Sequence, residues 1–210
     1  MLGAHPDVSL THKKELNFWH RAEQLTYEWY SAAVADHDPS AVVGDISPSY
    51  TLLKADAIAD LRSRYPDVRV FFNVRNPVDR IWSRARHLVR EANLDVMALS
   101  EAELETYVFN PRSVRISDYA THLTRWQVQF PGDEILVSRF EELVKEPAVY
   151  FRRLCIHIGI DPDVLPQSAM VRQRERSDSR PLPEAHRARL HEMMAEPMAR
   201  FRDQFGIDYT

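Results

Sequence analysis

Hydrophobic and polar positions follow two different periods along the chain, and these periods predict strands and helices in turn. Short runs rich in Val, Ile and Phe, typical of buried strands, occupy residues 41–45, 67–75 and 134–139. Stretches with apolar side chains every three or four residues, typical of amphipathic helices, occupy 21–35, 54–64, 118–130, 146–159 and 184–205. This alternation predicts an α/β fold with a mostly parallel sheet flanked by helices.

The strand at 67–75 runs directly into a helix, with no glycine between the two elements. Pro77 suits the first turn of that helix, where its missing N–H costs nothing. One face of the helix is apolar and is formed by Ile81, Trp82, Ala85, Leu88 and Val89. The pattern therefore places Arg75 at the last position of a buried strand, followed by an arginine-rich helix.

Two further signals mark helix ends. Ser100 with Glu103 three residues later is typical of a capping box, which predicts a short helix within the otherwise irregular segment 91–115. Gly159 is a typical C-terminal stop for the helix before it.

Composition narrows the class of protein. The 210 residues suit a single domain, and the net charge of −4 argues against binding a nucleic acid with the whole surface, so any basic site must be local. The only cysteine, Cys155, excludes a disulfide framework and favours a reducing, cytoplasmic compartment. No apolar run is long enough to predict a membrane span, and the first residues do not have the pattern of a signal peptide.

Arg75 and Ser83 are candidate phosphate ligands. Ligands of parallel α/β sheets bind beyond the carboxyl ends of the strands, where Arg75 is expected. A guanidinium group matches two phosphate oxygens, and a serine hydroxyl two helical turns later adds a further donor. On spacing alone, a strand-end arginine in a surface salt bridge is the commoner explanation.

The complete segment favours the phosphate interpretation. Residues 74–85, VRNPVDRIWSRA, resemble the 3′-phosphate-binding segment of sulfotransferases, an apolar strand followed by R-[ND]-P-x-[DE]-R-x-x-S. The resemblance implies that Arg75 and Ser83 bind the 3′-phosphate of 3′-phosphoadenosine 5′-phosphosulfate (PAPS), the co-substrate of that family. It also implies a sulfotransferase fold of the P-loop-NTPase-like type.

Other segments resemble the same family in the same order. Residues 5–19 resemble its HPDV…KE-x-x-FF block, with Trp19 in place of the second phenylalanine, and residues 43–50 resemble GEKSPSY. Residues 118–160 resemble its Y-A-x-x-L-x-x-W…ILV…FLGI stretch. The similarity is greatest to the branch that contains heparan-type and many bacterial sulfotransferases.

The resemblance implies roles for residues near the N-terminus. Glu15 stands where the heparan-type branch has its catalytic base, and Lys14 beside it is a candidate for neutralising charge on the transferred group. Without the resemblance, a solvated polar loop is the simpler interpretation of this segment.

The remaining candidates have weaker signals. Asp45, Ser47 and Tyr50 are candidates for lining the acceptor pocket, although the SPSY segment also suits a plain turn. In the loop 172–180, where the family closes over the nucleotide, Arg176 and Arg180 are candidate ligands. The nine histidines show no metal-ligand spacing, so no metal is expected, and His5, His12 and His20 are interpreted as surface or capping residues.

One expected element is missing from the sequence. Sulfotransferases begin with a strand, a K-x-G-T-[TS] loop that holds the 5′-phosphosulfate, and a helix ending in L-x-x-HP. The chain starts at MLGAHP, near the expected end of that helix, and no later segment resembles the loop. We therefore expect an N-terminally truncated sulfotransferase domain over residues 1–210. As it stands, this domain should have little or no activity and should either self-associate or be marginally stable.

The expected activity is transfer of a sulfuryl group from PAPS to a hydroxyl of a small-molecule or carbohydrate acceptor. The alternative is a non-catalytic nucleotide-binding or interaction module that kept the fold and lost the loop. A nucleoside-triphosphate kinase is disfavoured because no Walker lysine is present. A nucleic-acid binder is disfavoured because no aromatic stacking platform accompanies the arginines.

Overall fold

The computed structural model describes residues 2–11, 15–35, 40–164 and 180–209 of the chain. These residues form two compact units. The first comprises Met1–Asn73 and Arg125–Gln173, and the second comprises Val74–Thr124 and Arg174–Thr210. The expectation of one continuous domain stays a prediction.

The helices lie close to the positions that the sequence predicts. In chain order the α-helices that the structure describes are α1 (Tyr27–Ala35), α2 (Ala55–Arg64), α3 (Pro77–Glu91), α4 (Glu101–Val108), α5 (Pro111–Ile116), α6 (Tyr119–Gln127), α7 (Phe140–Lys145), α8 (Pro147–Ile158) and α9 (Glu184–Phe205). None of these helices is long and apolar enough to cross a bilayer.

The first unit contains a short pair of parallel strands. Strand β1 (Val8–Leu10) pairs with β2 (Val42–Gly44), with Leu10 opposite Gly44. A Cβ atom at residue 44 would lie 3.1 Å from a methyl carbon of Leu10, so the glycine allows this side chain to pack closely against the second strand. The sequence predicts β2 but not β1, because three residues are too few for a clear alternation.

A second strand pair lies farther along the chain. Strand β3 (Val70–Val74) pairs with β4 (Ile135–Arg139), and β3 ends one residue inside the second unit. At the end of β3, Val74 is buried with 1% of its surface exposed. Helices accompany both strand pairs, as the predicted α/β class requires.

The second unit is helical and packs around one face of α3. Asn76 caps this helix, because its side-chain oxygen accepts hydrogen bonds from the amides of Val78 and Asp79. The predicted apolar face is buried against α4 and α9. Its core side chains are Val78, Ile81, Trp82, Ala85, Leu104, Val108, Leu182, Leu190, Met194 and Met198.

Local capping signals are confirmed at two helix ends. Ser100 and Glu103 form the capping box that starts α4, with both reciprocal hydrogen bonds present. Gly159 ends α8 in the left-handed conformation at φ 79°. The sequence interpretation was less accurate elsewhere, since the first helix begins at Tyr27 rather than at residue 21, and α5 and α7 were not predicted.

The interpretation of His5 as a surface or capping residue is wrong about the surface position, because the ring is buried, although the ring does cap the amide of Asp7. The side chain of His5 is 2% exposed and lies near Phe151, at 6.3 Å between the ring centroids. The Nε2–H of His5 donates to the carbonyl oxygen of Asp161 at 2.8 Å, while Nδ1 accepts from the amide of Asp7 at 3.2 Å. Both ring nitrogens are thus satisfied inside the first unit, which makes burial of a polar ring tolerable.

Candidate functional site

The parallel pairing of β1 and β2 brings two sequence candidates to the same sheet edge. The pairing extends past the strands, because the amide of Thr11 donates to the carbonyl oxygen of Gly44 at 3.2 Å. Asp45 follows β2 directly, and Glu15 lies a few positions beyond Leu10, where β1 ends. Carboxyl ends of parallel strands are the usual place for ligand-binding loops. We call the set Glu15, Asn17, Asp45, Ser47 and Tyr50 the carboxylate site.

Glu15 has an unusual backbone conformation. Its φ is 58°, and Asn17 two residues later has φ 54°, so both residues are left-handed. Asparagine adopts this conformation readily, whereas for glutamate it costs about 1–2 kcal/mol of conformational energy. Leu16 between them is 3% exposed and anchors the loop in the core, while the side chain of Glu15 is exposed. The fold therefore holds Glu15 in solvent against a local preference, which is frequent at functional sites.

Asn17 ties the Glu15 loop to the turn after β2. Its backbone amide donates to Oγ of Ser47 at 3.1 Å, and its side-chain oxygen accepts from the hydroxyl of Ser49. The side-chain Nδ2 of Asn17 donates to the carbonyl oxygen of Glu15 at 2.8 Å. These bonds hold the left-handed loop against the segment that the sequence assigns to the acceptor pocket.

The Asp45 carboxylate is the centre of the same network. One oxygen accepts from Oγ of Ser47 at 2.8 Å and the other from the phenol of Tyr50 at 2.7 Å. Burial raises the pKa of Tyr50 far above its ordinary value, and the hydrogen bond to Asp45 raises it further. Tyr50 is therefore a neutral donor at all physiological pH values.

The second group of candidates follows β3. Arg75 is the first residue after this strand. The hydroxyl of Tyr119 hydrogen bonds to both the amide and the carbonyl group of Arg75. The Tyr119 hydroxyl donates to the carbonyl oxygen of Arg75 at 3.0 Å and accepts from its amide at 3.3 Å. Tyr119 is 6% exposed and packs against Phe201, with ring centroids 5.4 Å apart. A buried side chain thus fixes where the arginine leaves the strand.

An anion bound after β3 would have to be held mainly by side chains and not by the backbone amides at the start of α3. The amides of Val78 and Asp79, which a phosphate would otherwise occupy, already donate to Asn76. Ser83 lies two turns into α3 with a half-buried side chain. Arg86 and Arg90 follow it at spacings of three and seven residues, which places all three on one side of the helix. We call Arg75, Ser83, Arg86 and Arg90 the arginine site.

Arg80, the second arginine of the motif, has a structural role. Its guanidinium donates to the carbonyl oxygen of Ser113 and to Oγ of Ser117, both at 3.1 Å. Burial lowers the pKa of Arg80 below its ordinary value. The motif arginine therefore fastens α3 to α5 within the second unit.

The remaining candidates are placed as follows. The guanidinium of Arg180 donates to the main-chain carbonyls of Val96 and Leu99, in the segment between α3 and α4. Lys14 and Arg176 lie outside the described residues. Glu15 belongs to the first unit and Arg75 to the second, so each site is described on its own.

Sequence reasoning missed two residues that position candidate groups. Asn17 is an unspecified position of the E-x-x-F-F pattern, and only its preference for left-handed turns gave a signal. Tyr119 was recognised as part of an amphipathic helix, but its contact with Arg75 spans 44 residues and leaves no local pattern.

Comparison with known proteins identifies the class. A family model for the sulfotransferase family matches residues 4–164, so the chain belongs to the sulfotransferase family. The crystal structure of a sulfotransferase from Alicyclobacillus acidocaldarius is similar, with a TM-score of 0.78 and 23% identity over 99% of this chain and 89% of that one. This likeness shows the fold. A comparison with curated protein sequences gives no match.

Proposed function

We propose that the protein transfers a sulfuryl group from PAPS to a hydroxyl of a small-molecule or carbohydrate acceptor. The observation that carries the proposal is the geometry of the R-N-P-x-D-R-x-x-S segment. Arg75 leaves the end of β3 with its backbone fixed by Tyr119, and Ser83 lies two turns into the helix that follows. This arrangement occurs in a chain that belongs to the sulfotransferase family.

The donor set of the arginine site suits a 3′-phosphate. A phosphate group has three terminal oxygens, which prefer charge-assisted hydrogen bonds from guanidinium groups and bonds from hydroxyls. Arg75 supplies a planar fork and Ser83 supplies a hydroxyl, both within the second unit. The bulk of the protein carries a net charge of −4, so this local positive charge is what would attract the nucleotide.

Residues of the carboxylate site serve the acceptor in this proposal. PAPS supplies an activated sulfuryl group whose bond to the 5′-phosphate breaks as the acceptor oxygen bonds to sulfur. The Glu15 carboxylate takes the proton of the acceptor hydroxyl, and its exposed position leaves it open to that group. Lys14 offsets negative charge on the transferred group.

The network around Asp45 keeps the proposed base in place. Both Asp45 oxygens already accept internal hydrogen bonds, so Asp45 holds Ser47 and Tyr50 rather than acting as a second base. Ser47 in turn holds Asn17, whose side chain fixes the carbonyl group of Glu15. We propose that this turn lines the acceptor pocket. Arg176 and Arg180 are proposed as further nucleotide ligands.

Nucleotide binding tests the proposal. Adenosine 3′,5′-bisphosphate should bind more tightly than adenosine 5′-monophosphate in isothermal titration calorimetry, because only the former has a 3′-phosphate. Arg75→Ala should remove most of this preference, an effect of about 1.5–3 kcal/mol for a lost charge-assisted hydrogen bond. Arg64→Ala is the control, since Arg64 pairs with Asp60 on the surface of the first unit.

Equal affinities of the wild-type protein for the two nucleotides would contradict the proposal. A preference for the bisphosphate would instead favour the non-catalytic nucleotide-binding module if no acceptor of a broad panel is sulfated even after an N-terminal strand, loop and helix from a relative have been added. Transfer is measured with radiolabelled PAPS and a panel of phenols, alcohols and sugars.

A further inference from the structure

The arginines of α3 differ in the partners of their guanidinium groups. Arg80 donates to backbone and hydroxyl oxygens, and Arg84 lies 3.3 Å from a carboxylate oxygen of Glu91. Arg86 takes part in none of the ion pairs found among the described residues. One half-buried cation of this helix therefore stands out.

Arg86 packs against an aromatic ring, but one of its buried donors has no hydrogen-bond partner among the described residues. Its guanidinium carbon lies 5.7 Å from the ring centroid of Trp82, one turn earlier on the helix. Its Nε–H is buried, yet it has no hydrogen-bond partner within the described part of the chain. Buried donors are nearly always paired in native proteins, so an unpaired one calls for an explanation such as a ligand that is bound in the functional state.

Like charges surround Arg86. Burial lowers its pKa, and the positive charges of Arg75 and Arg90 lower it further. Asp79 acts in the opposite direction, but its carboxylate also faces Arg187 at 3.8 Å. Two positive charges therefore act on Arg86, and each has a larger effect on it than the carboxylate of Asp79 has.

We propose that Arg86 is a further ligand of the 3′-phosphate, beside Arg75 and Ser83. The inference rests on the proposed nucleotide function and adds a residue to it. Ser83 and Arg86 lie three residues apart on the same side of α3, so a group bound to the hydroxyl lies within reach of the guanidinium. Two arginines and a hydroxyl provide at least one donor for each of the three phosphate oxygens. Bringing in a dianion also removes the repulsion between Arg75 and Arg86.

Calorimetry with matched variants tests the inference. Arg86→Gln keeps much of the side-chain length and removes the charge. It should weaken binding of adenosine 3′,5′-bisphosphate by about 10- to 100-fold and leave binding of adenosine 5′-monophosphate nearly unchanged. Arg86→Lys should retain part of the preference. Arg84→Gln, the same change on the same helix at a residue paired with Glu91, should have little effect on either nucleotide.

A second readout separates a ligand from a structural residue. Without nucleotide, Arg86→Gln should melt at the same temperature as the wild-type protein or higher, because an unpaired donor and the repulsion from Arg75 and Arg90 are removed. An equal loss of affinity for both nucleotides together with a lower melting temperature would show a structural role and overturn the inference.

Two further outcomes separate this inference from the function on which it rests. If the wild-type protein prefers the bisphosphate and Arg86→Gln keeps the full preference, the proposed nucleotide function stands and Arg86 is not a ligand. If the wild-type protein shows no preference, both are wrong.

Discussion

Glu15 combines an exposed carboxylate with a backbone that ordinary glutamates avoid. The left-handed conformation at φ 58° projects the side chain from a loop whose next residue, Leu16, is buried. Asn17 and Ser47 hold that loop through hydrogen bonds to the backbone rather than to the Glu15 side chain. The fold therefore fixes the backbone of Glu15 without using its carboxylate in these hydrogen bonds. The carboxylate stays available to accept a proton, as a general base must.

Glu15→Gln is expected to separate catalysis from binding. The amide keeps the shape of the side chain but takes up no proton. In a form of the protein that turns over, kcat for sulfuryl transfer should therefore fall by roughly 10²- to 10⁴-fold. Affinity for adenosine 3′,5′-bisphosphate should stay unchanged. The measurement is steady-state turnover with radiolabelled PAPS and an acceptor found by screening, beside calorimetry.

Glu23→Gln is the matched control, because Glu23 is another exposed glutamate of the first unit. Near-normal turnover of Glu15→Gln would show that Glu15 is an ordinary loop residue. A loss of turnover shared equally by the control would point to surface charge instead of proton transfer.

At the scale of secondary structure, a hydrogen bond from the side chain of His157 links α8 to β3. Nε2 of His157 hydrogen bonds to the carbonyl oxygen of Val70 at 2.8 Å, across 87 residues of sequence. Burial lowers the pKa of His157, and Arg69 lowers it further, while the bond to Val70 and the charge of Asp133 act in the opposite direction. The net direction means that the folded protein prefers the neutral ring.

The lowered pKa predicts acid sensitivity of this contact. Since the unfolded chain binds the His157 proton more readily, its contribution to stability is present above the ordinary histidine pKa near 6.5 and is lost as pH falls through the folded value. Urea unfolding at pH 7.5 and pH 5.0 should therefore show a smaller pH dependence for His157→Gln, whose amide can still donate to Val70. An unchanged pH dependence would mean that other groups account for the acid sensitivity.

The elements also show what the sequence can and cannot predict. Amphipathic helices such as α3 and α9 were predicted closely, because their apolar spacing persists over several turns. The three residues of β1 are too few to show a periodic pattern, and they form a strand only because they pair with β2. The same holds for the contacts of Asn17 and Tyr119, which depend on residues 30 and 44 positions away. Sequence motifs indicated the candidate site residues, which stay predictions, while the residues that hold the backbones of Glu15 and Arg75 were found only in three dimensions.

For the whole molecule, the proposed ligand should act as a stabiliser. A nucleotide that binds only the folded protein raises the unfolding free energy by about 2.7 kcal/mol at a concentration of 100 times Kd. For a chain of this size, that energy corresponds to a rise in melting temperature of roughly 5–11 °C. Differential scanning fluorimetry with adenosine 3′,5′-bisphosphate should show the rise, and Arg75→Ala should reduce it.

The matched comparison is adenosine 5′-monophosphate at the same concentration, which should give a smaller shift. Identical shifts with both nucleotides would locate the binding energy away from the 3′-phosphate.

The positive charge of the arginine site also affects how the protein should be handled. Sulfate and inorganic phosphate have the size and charge of the group that these side chains are proposed to hold. Ammonium sulfate precipitation or a phosphate buffer would therefore be expected to load the site before any nucleotide is added, and to weaken apparent affinities measured afterwards. Chloride-based buffers at low ionic strength are the better medium for purification and assay, and sulfate is a sensible additive for crystallisation.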